Sequence, residues 1–150
     1  MPEEFIHQYK VIRKLGAGAM GEVFLCEDPR LEREVAVKLL SDELSQVAEH
    51  RHRFLTEAKA ASALNHPNVC VIHEVGETDD NRLFIAMEVL TGAPLDELLA
   101  SKRLETDAAI ELGIQLADAL TAAHERGIVH RDLKPANIHV SERGHGKILD

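Results

Sequence analysis

The chain has 150 residues, 45% of them hydrophobic, and a formal net charge of −9. That is enough apolar material to build one ordinary domain, which excludes intrinsic disorder, and the negative balance argues against nucleic acid or an anionic membrane surface as the main partner, since both need a clustered positive field. No apolar run approaches the roughly 18 to 20 residues of a membrane span, and the opening MPEEFIHQYK lacks the basic lead and apolar core of an export signal.

Cys26 and Cys70 stand outside any CxxC pair, so no disulfide framework or zinc site is expected, and a reducing, cytoplasmic setting fits best. Aromatic content is 3% with no Trp, which deprives a domain of its largest core fillers and hints that the chain is not a whole folding unit.

Residues 1–8 read as an N-terminal tail. YKVIRKL then alternates apolar and polar residues into a glycine cluster, and GEVFLCED and EREVAVKLL follow as two more β-rich runs, predicting a three-stranded antiparallel meander with DPRLERE as a turn. SQVAEHRHRFLTEAKAASAL places Val47, Phe54, Ala58 and Ala61 at helical spacing, and NHPN ends that helix because the residue before Pro67 is biased out of helical conformation. VCVIHEV and RLFIAMEV, joined by ETDDN, predict two further strands. After LTGAP, a helix is expected from Thr106 to Arg126 with Gly127 as its C-terminal cap. Its polar residues Glu111, Gln115, Asp118 and Glu125 form one narrow stripe, which implies burial of nearly everything else. Five strands and one helix followed by a helical region give an α+β fold of two lobes joined near residues 88–94.

Chemistry is concentrated in a few of these segments. GAGAMG supplies Gly16, Gly18 and Gly21, a GxGxxG pattern that alone is equally a tight turn or a dinucleotide fingerprint. A Rossmann fingerprint opens a helix, whereas EVFLC is a strand, so these glycines join a hairpin whose backbone N–H groups can approach phosphate oxygens. A Walker motif is excluded, because no Lys-Ser or Lys-Thr follows the last glycine. VAVK places Lys38 beside that hairpin, with Glu32 or Glu34 as ordinary surface partners. Glu57, three residues after Phe54, lies at the edge of the helix's apolar face, and its spacing fits Lys38 or Arg53 as counter-ion equally well.

HRDLKPAN gathers His130, Arg131, Asp132, Lys134 and Asn137 in eight residues that Pro135 keeps from being helical. An acceptor, an ammonium and an amide so close together suit phosphoryl transfer: Asp132 for a hydroxyl proton, Lys134 for phosphate charge, the Asn137 carbonyl for magnesium.

With these segments in view, the chain resembles the first part of a protein kinase domain of the Ser/Thr type, in particular the bacterial eukaryote-like Ser/Thr kinases, through GAGAMGEVFL, LNHPNV, MEVLTGAPLDELL and HRDLKPAN, from about Tyr9 to Asp150. The resemblance implies an ATP-binding lobe of five antiparallel strands and one helix at 9–87, a hinge at 88–94, and the start of a mainly helical lobe at 95–150. It implies ATP with magnesium, or manganese in its place, and a protein substrate bearing Ser or Thr. Gly16, Gly18 and Gly21 would cover the phosphates, and Lys38 would hold them and pair with Glu57. Leu15, Val23, Ala36 and Met87 would line the nucleotide site, with Met87 as gatekeeper and the backbone of Glu88 and Leu90 reading the adenine edge. Asp132 would be the catalytic base, and Lys134 is the form expected of Ser/Thr rather than Tyr kinases. IHV, SERGHG and KIL stand where the family has strand, turn and strand before Asp-Phe-Gly, so Asp150 is expected to hold magnesium with Asn137, and the chain to stop before that motif's Phe and Gly. His139 departs from the family, which has an apolar residue there beneath the adenine ring. Residues 1–150 alone are expected to show no phosphotransfer. The rival readings are a nucleotide-binding pseudokinase or scaffold and, on GxGxxG alone, a dinucleotide-binding oxidoreductase.

Overall fold

The computed structural model describes residues 4–18, 21–128 and 133–149. The chain divides into two compact units, Met1–Ser62 with Val71–Val89, and Ala63–Cys70 with Leu90–Asp150.

The first unit is built on strands β1 (Phe5–Ile6), β2 (Tyr9–Gly18), β3 (Gly21–Asp28) and β4 (Arg33–Leu40), helices α1 (Asp42–Gln46) and α2 (Ala48–Ser62), and strands β5 (Ile72–Glu77) and β6 (Leu83–Met87). The six strands form one antiparallel sheet in the order β1-β2-β3-β4-β6-β5. Side chains alternate across a sheet, so register sorts them by face. Phe24, Cys26, Val35, Val37, Leu39, Phe84 and Ala86 share one face, where they form an apolar core with Ile6 and Tyr9. Val23, Leu25, Ala36, Lys38, Ile85 and Met87 are carried by the other.

The five expected strands are present, and β1 is added to them. Residues read as a plain tail thus contribute to the sheet. His7, at φ +55°, and Gln8 form a tight turn that folds Phe5–Ile6 back onto Tyr9–Lys10, burying Ile6 and Tyr9 over the apolar face. The Tyr9 hydroxyl donates to the Glu74 carboxylate, which also accepts from Gln8 Nε2 at 2.9 Å. Burial, then the Glu74 contact, raises the Tyr9 phenol above its ordinary 10. A raised pKa means that the folded chain keeps a proton the unfolded chain loses, so this stabilisation is complete below pH 10 and is lost as pH rises past it. The melting temperature should therefore fall more steeply above pH 10 in the wild type than in Tyr9→Phe, as thermal melts from pH 8 to 11 would show.

The long helix expected from Ser45 is broken at Val47, which is extended and exposed. Ser41 caps the short α1 by accepting from Leu44 N at 3.3 Å, and Arg51 ties the break to the β5–β6 turn by donating to Ser45 O (3.0 Å), Asn81 O (2.9 Å) and Glu77 Oε1 (2.9 Å). Within α2 the predicted face holds: Ala58 is buried, and Phe54 and Ala61 are half-buried.

The second unit contains β7 (Ala93–Pro94), α3 (Leu95–Ser101), α4 (Thr106–Glu125), a 3-10 turn at Pro135–Asn137, β8 (Ile138–Val140) and β9 (Gly146–Ile148). The last three strands form a sheet in the order β7-β8-β9. Leu95, Leu112, Ile138 and Val140 form its core. A Schellman motif closes α4 as the sequence predicts: Gly127 takes φ +76°, its N–H donates to His124 O (3.0 Å), and Ile128 N donates to Ala123 O (2.9 Å).

Two readings of this region need correcting. The apolar run from Val69 is not all strand β5: Val69 bridges to Ile148 and Cys70 N donates to Ile148 O at 3.0 Å, so this end of the run belongs to the second unit. Nor is α4 buried on all but its polar stripe. Ile110 is 57% and Ile114 59% exposed, while Gln115, assigned to the stripe, turns inward.

Candidate functional site

The β2–β3 hairpin brings Gly16 opposite Val23, Ala17 opposite Glu22 and Gly18 opposite Gly21, so the three glycines flank its tip. Ala19 and Met20 lie outside the described residues. Only Gly21 is required by the fold itself. It sits at φ +149°, and a Cβ there would lie 2.0 Å from the Leu39 carbonyl oxygen. A Cβ on Gly16 or Gly18 would meet nothing within 4 Å. Their lack of side chains answers to no neighbour among the described residues, which is the condition for close approach by a ligand.

Strand register places four more predicted residues on one sheet face. Val23 pairs with Lys38 and Lys38 with Ile85 in one row, and Leu25, Ala36 and Met87 form the next. Ala36 is buried, Val23, Lys38 and Met87 are half-buried, and Leu15, in the irregular stretch between Lys14 and Gly16, is exposed. The apolar core lies on the opposite face, so this face is open to other use.

Glu57 does not join it. It is exposed and makes no ion pair among the described residues, while Arg53, the other counter-ion considered, reaches Glu49 at 3.9 Å. Neither expected pairing forms. The reason is rotational: α2 points Ala58 at the sheet, and the next residue back is turned about 100° away, towards water, where a carboxylate needs no partner.

In the second unit, Asp132 lies outside the described residues, as do His130 and Arg131. Lys134 is exposed at the head of the 3-10 turn, with Pro135 at its first position. Asn137 is fixed through its backbone, its N–H donating to Lys134 O at 2.9 Å and its carbonyl accepting from Leu149 N at 2.8 Å. That last bond brings the chain before Asp150 alongside Asn137, and Asp150 itself is outside the described residues. Ile138 and Val140 enter the core, so His139 between them occupies the opposite face of β8, in register with Pro94 and Lys147. Its Nδ1 is buried with no hydrogen-bond partner among the described residues, and burial holds its pKa below the ordinary 6.5, with Glu97 opposing.

No cluster of three or more His, Cys, Asp or Glu exists among the described residues. An amide oxygen with one carboxylate nevertheless suits magnesium, a hard cation that takes few protein ligands and fills its shell with water and phosphate. No helix among the described residues is long and apolar enough to cross a membrane.

Two features escaped the sequence reading. Gln115 Oε1 accepts from Asn68 Nδ2 (2.9 Å) and Gly146 N (2.8 Å), and its Nε2 donates to Gly144 O (2.9 Å). With His66 Nε2 at 2.8 Å from Asp118 Oδ2 and His145 Nε2 at 2.8 Å from Pro67 O, this network docks NHPN onto α4 and the β8–β9 turn. The signal was NHPN itself, whose Asn68 sits two residues past the point where a helix stop is needed. The second feature is the Glu88 side chain, which accepts from Val71 N at 2.9 Å.

Residues 9–150 match the family model described as the protein kinase domain. The chain is 40% identical over 138 residues to serine/threonine-protein kinase PknJ of Mycobacterium tuberculosis, covering 92% of this chain and 23% of the relative. It is also 40% identical over 144 residues to serine/threonine-protein kinase PrkC of Bacillus subtilis, covering 95% and 22%. It thus spans under a quarter of the length of these relatives. The solved M. tuberculosis PknI kinase domain superposes with a TM-score of 0.87 at 33% identity, over 99% of this chain and 59% of that one.

Proposed function

The chain belongs to the protein kinase domain family, and from that premise we propose that it is the ATP-binding portion of a Ser/Thr protein kinase. The unit of Met1–Ser62 and Val71–Val89 is the nucleotide lobe, 88–94 is the hinge, and the unit of Ala63–Cys70 and Leu90–Asp150 is the beginning of the substrate lobe. The observation that carries this reading is the sheet face holding Val23, Ala36, Lys38 and Met87 beside a hairpin whose Gly16 and Gly18 have no fold-imposed need to be glycine.

The mechanism is one of positioning and charge. The glycine hairpin offers backbone N–H groups to the phosphates, and Lys38 holds them with its ammonium. Leu15, Val23, Ala36 and Met87 enclose the base, and the main chain of Glu88 and Leu90 reads its edge. Asp132 takes the proton of a substrate Ser or Thr hydroxyl as its oxygen bonds to the γ-phosphorus and the bond to the bridging oxygen of the departing ADP breaks. Lys134 offsets charge on the transferring group. Asn137 and Asp150 would hold magnesium, which supplies charge neutralisation on the phosphates when bound. Such chemistry belongs in the cytoplasm, where ATP is abundant.

The exposure of Glu57 favours a second reading, a nucleotide-binding scaffold without catalysis, because the carboxylate expected to orient Lys38 is turned to water. Titration of the protein made from its complete coding sequence with Mg·ATP and with NAD tests the shared part of both readings: saturable binding of ATP and not NAD is expected. NAD binding without ATP binding would return the glycines to a dinucleotide fold. Residues 1–150 alone are expected to show no phosphotransfer, since α4 exposes Ile110 and Ile114 and the substrate platform is missing. Asp132-dependent phosphorylation by that piece would overturn this.

A further inference from the structure

Packing alone holds α2 loosely. Of its 15 residues only Ala58 is buried, and a single methyl group offers no knob that would fix the helix at one rotation about its axis. What fixes that rotation is Arg51. Its Nη1 donates to Ser45 O at 3.0 Å and to Asn81 O at 2.9 Å, and its Nη2 donates to Glu77 Oε1 at 2.9 Å. All three acceptors stand outside α2 and are anchored to the sheet. Ser45 is buried and its Oγ accepts from Leu83 N at 3.4 Å, Glu77 ends β5, and Asn81 lies in the turn closed by Thr78 N donating to Arg82 O at 2.8 Å. The extended Val47 separates α2 from α1, and the Arg51 fork bridges that break.

We infer that Arg51 is a positioning residue, a clamp that keeps α2 at the rotation in which Glu57 faces water and so holds phosphotransfer below its full rate. This rests on the reading that Lys38 holds the ATP phosphates and works best with the Glu57 carboxylate beside it. Glu57 stands about 100° around the helix from Ala58, the residue that faces the sheet. Turning it inward by that angle carries each α2 Cα through about 3.5 Å, on a cylinder of about 2.3 Å radius. A guanidinium that meets three anchored acceptors in one position cannot keep all of them after such a move, so the inward rotation requires Arg51 to let go. The ion pair with Glu77 is partly exposed and weak by itself; the hold comes from the two main-chain carbonyls that the same fork satisfies.

The test uses the protein from its complete coding sequence and compares wild type, Arg51→Ala, Glu57→Gln and the double variant for steady-state phosphotransfer. Release of the clamp is expected to raise kcat about three- to tenfold in Arg51→Ala, the scale of losing a partly exposed, charge-assisted hydrogen-bond cluster. Glu57→Gln should cost little in the wild type and erase the whole gain in the Arg51→Ala background, a non-additivity that a merely structural Arg51 would not produce. Glu77→Gln, which removes the charge of one acceptor without touching α2, should give part of the same gain. It carries the comparison should Arg51→Ala fail to fold in a thermal melt. An Arg51→Ala no faster than wild type, additive effects in the double variant, or a Glu57→Gln loss in the wild type as large as in Arg51→Ala would overturn the clamp. Mg·ATP binding with transfer in none of the proteins would instead sink the kinase reading, and the clamp with it.

Discussion

Replacing Lys38 with methionine is expected to lower phosphotransfer by at least about a hundredfold, the scale of losing a charge aimed at a developing transition state in a preorganised site. Lys38 sits mid-sheet between Val23 and Ile85, half-buried, on the face away from the apolar core. Methionine matches the length of its stem, so the sheet should keep its packing and melt close to the wild type. The loss would then be read as chemistry and not as unfolding. The companion variant Glu57→Gln separates two arrangements of α2. If the helix stays as seen, with Glu57 in water and its N-terminal end tied by Arg51 to Glu77 and Asn81, activity falls far less than in Lys38→Met. A loss equal to that of Lys38→Met would show that α2 swings Glu57 inward in the working enzyme.

The largest structural effect is expected at Phe84. Its side chain is fully buried, meets Tyr9 edge-on with ring centroids 6.1 Å apart and His7 at 5.6 Å, and covers Gly76, where a Cβ would come within 2.7 Å of the ring. Phe84→Ala removes the ring from beneath the β1 turn and leaves a cavity the sheet cannot close. The expected loss is about 3–5 kcal/mol. Against a typical domain stability of roughly 5–15 kcal/mol, that consumes much of the reserve. Phe84→Leu refills part of the space and should lose less. Urea denaturation of the three proteins orders them wild type, Leu, Ala; an Ala variant within about 1 kcal/mol of wild type would mean that this cluster is not the core of the unit.

Much of this was legible because it is written locally. Alternation marked β2, β-rich composition marked β3 and β4, glycines marked the hairpin tip, and Gly127 marked the end of α4, since each depends on a few neighbouring residues. HRDLKPAN could be read as phosphoryl-transfer chemistry from its residue types alone, though its Asp132 lies outside the described residues. What was not legible depends on long-range pairing. Nothing in MPEEFIHQYK says that Phe5–Ile6 will find Lys10 and Tyr9 across a turn at His7. The apolar run from Val69 cannot announce that Val69 and Cys70 pair with Ile148 while Ile72 pairs with Met87. Gln115 has the spacing of a solvent stripe, and only the arrival of Asn68 and Gly146 makes it a half-buried linchpin. Glu57 shows the same limit at the site itself: spacing offered it Lys38 or Arg53, and the rotation of α2 gave it neither.

Transfer of the γ-phosphate of ATP to a Ser or Thr hydroxyl, measured with the protein from its complete coding sequence and with Asp132→Asn alongside, tests the kinase reading most directly. Phosphoserine or phosphothreonine formed by the wild type and lost in Asp132→Asn is the predicted result. Phosphorylation that persists in Asp132→Asn, or a wild type that binds Mg·ATP and transfers nothing, would contradict it.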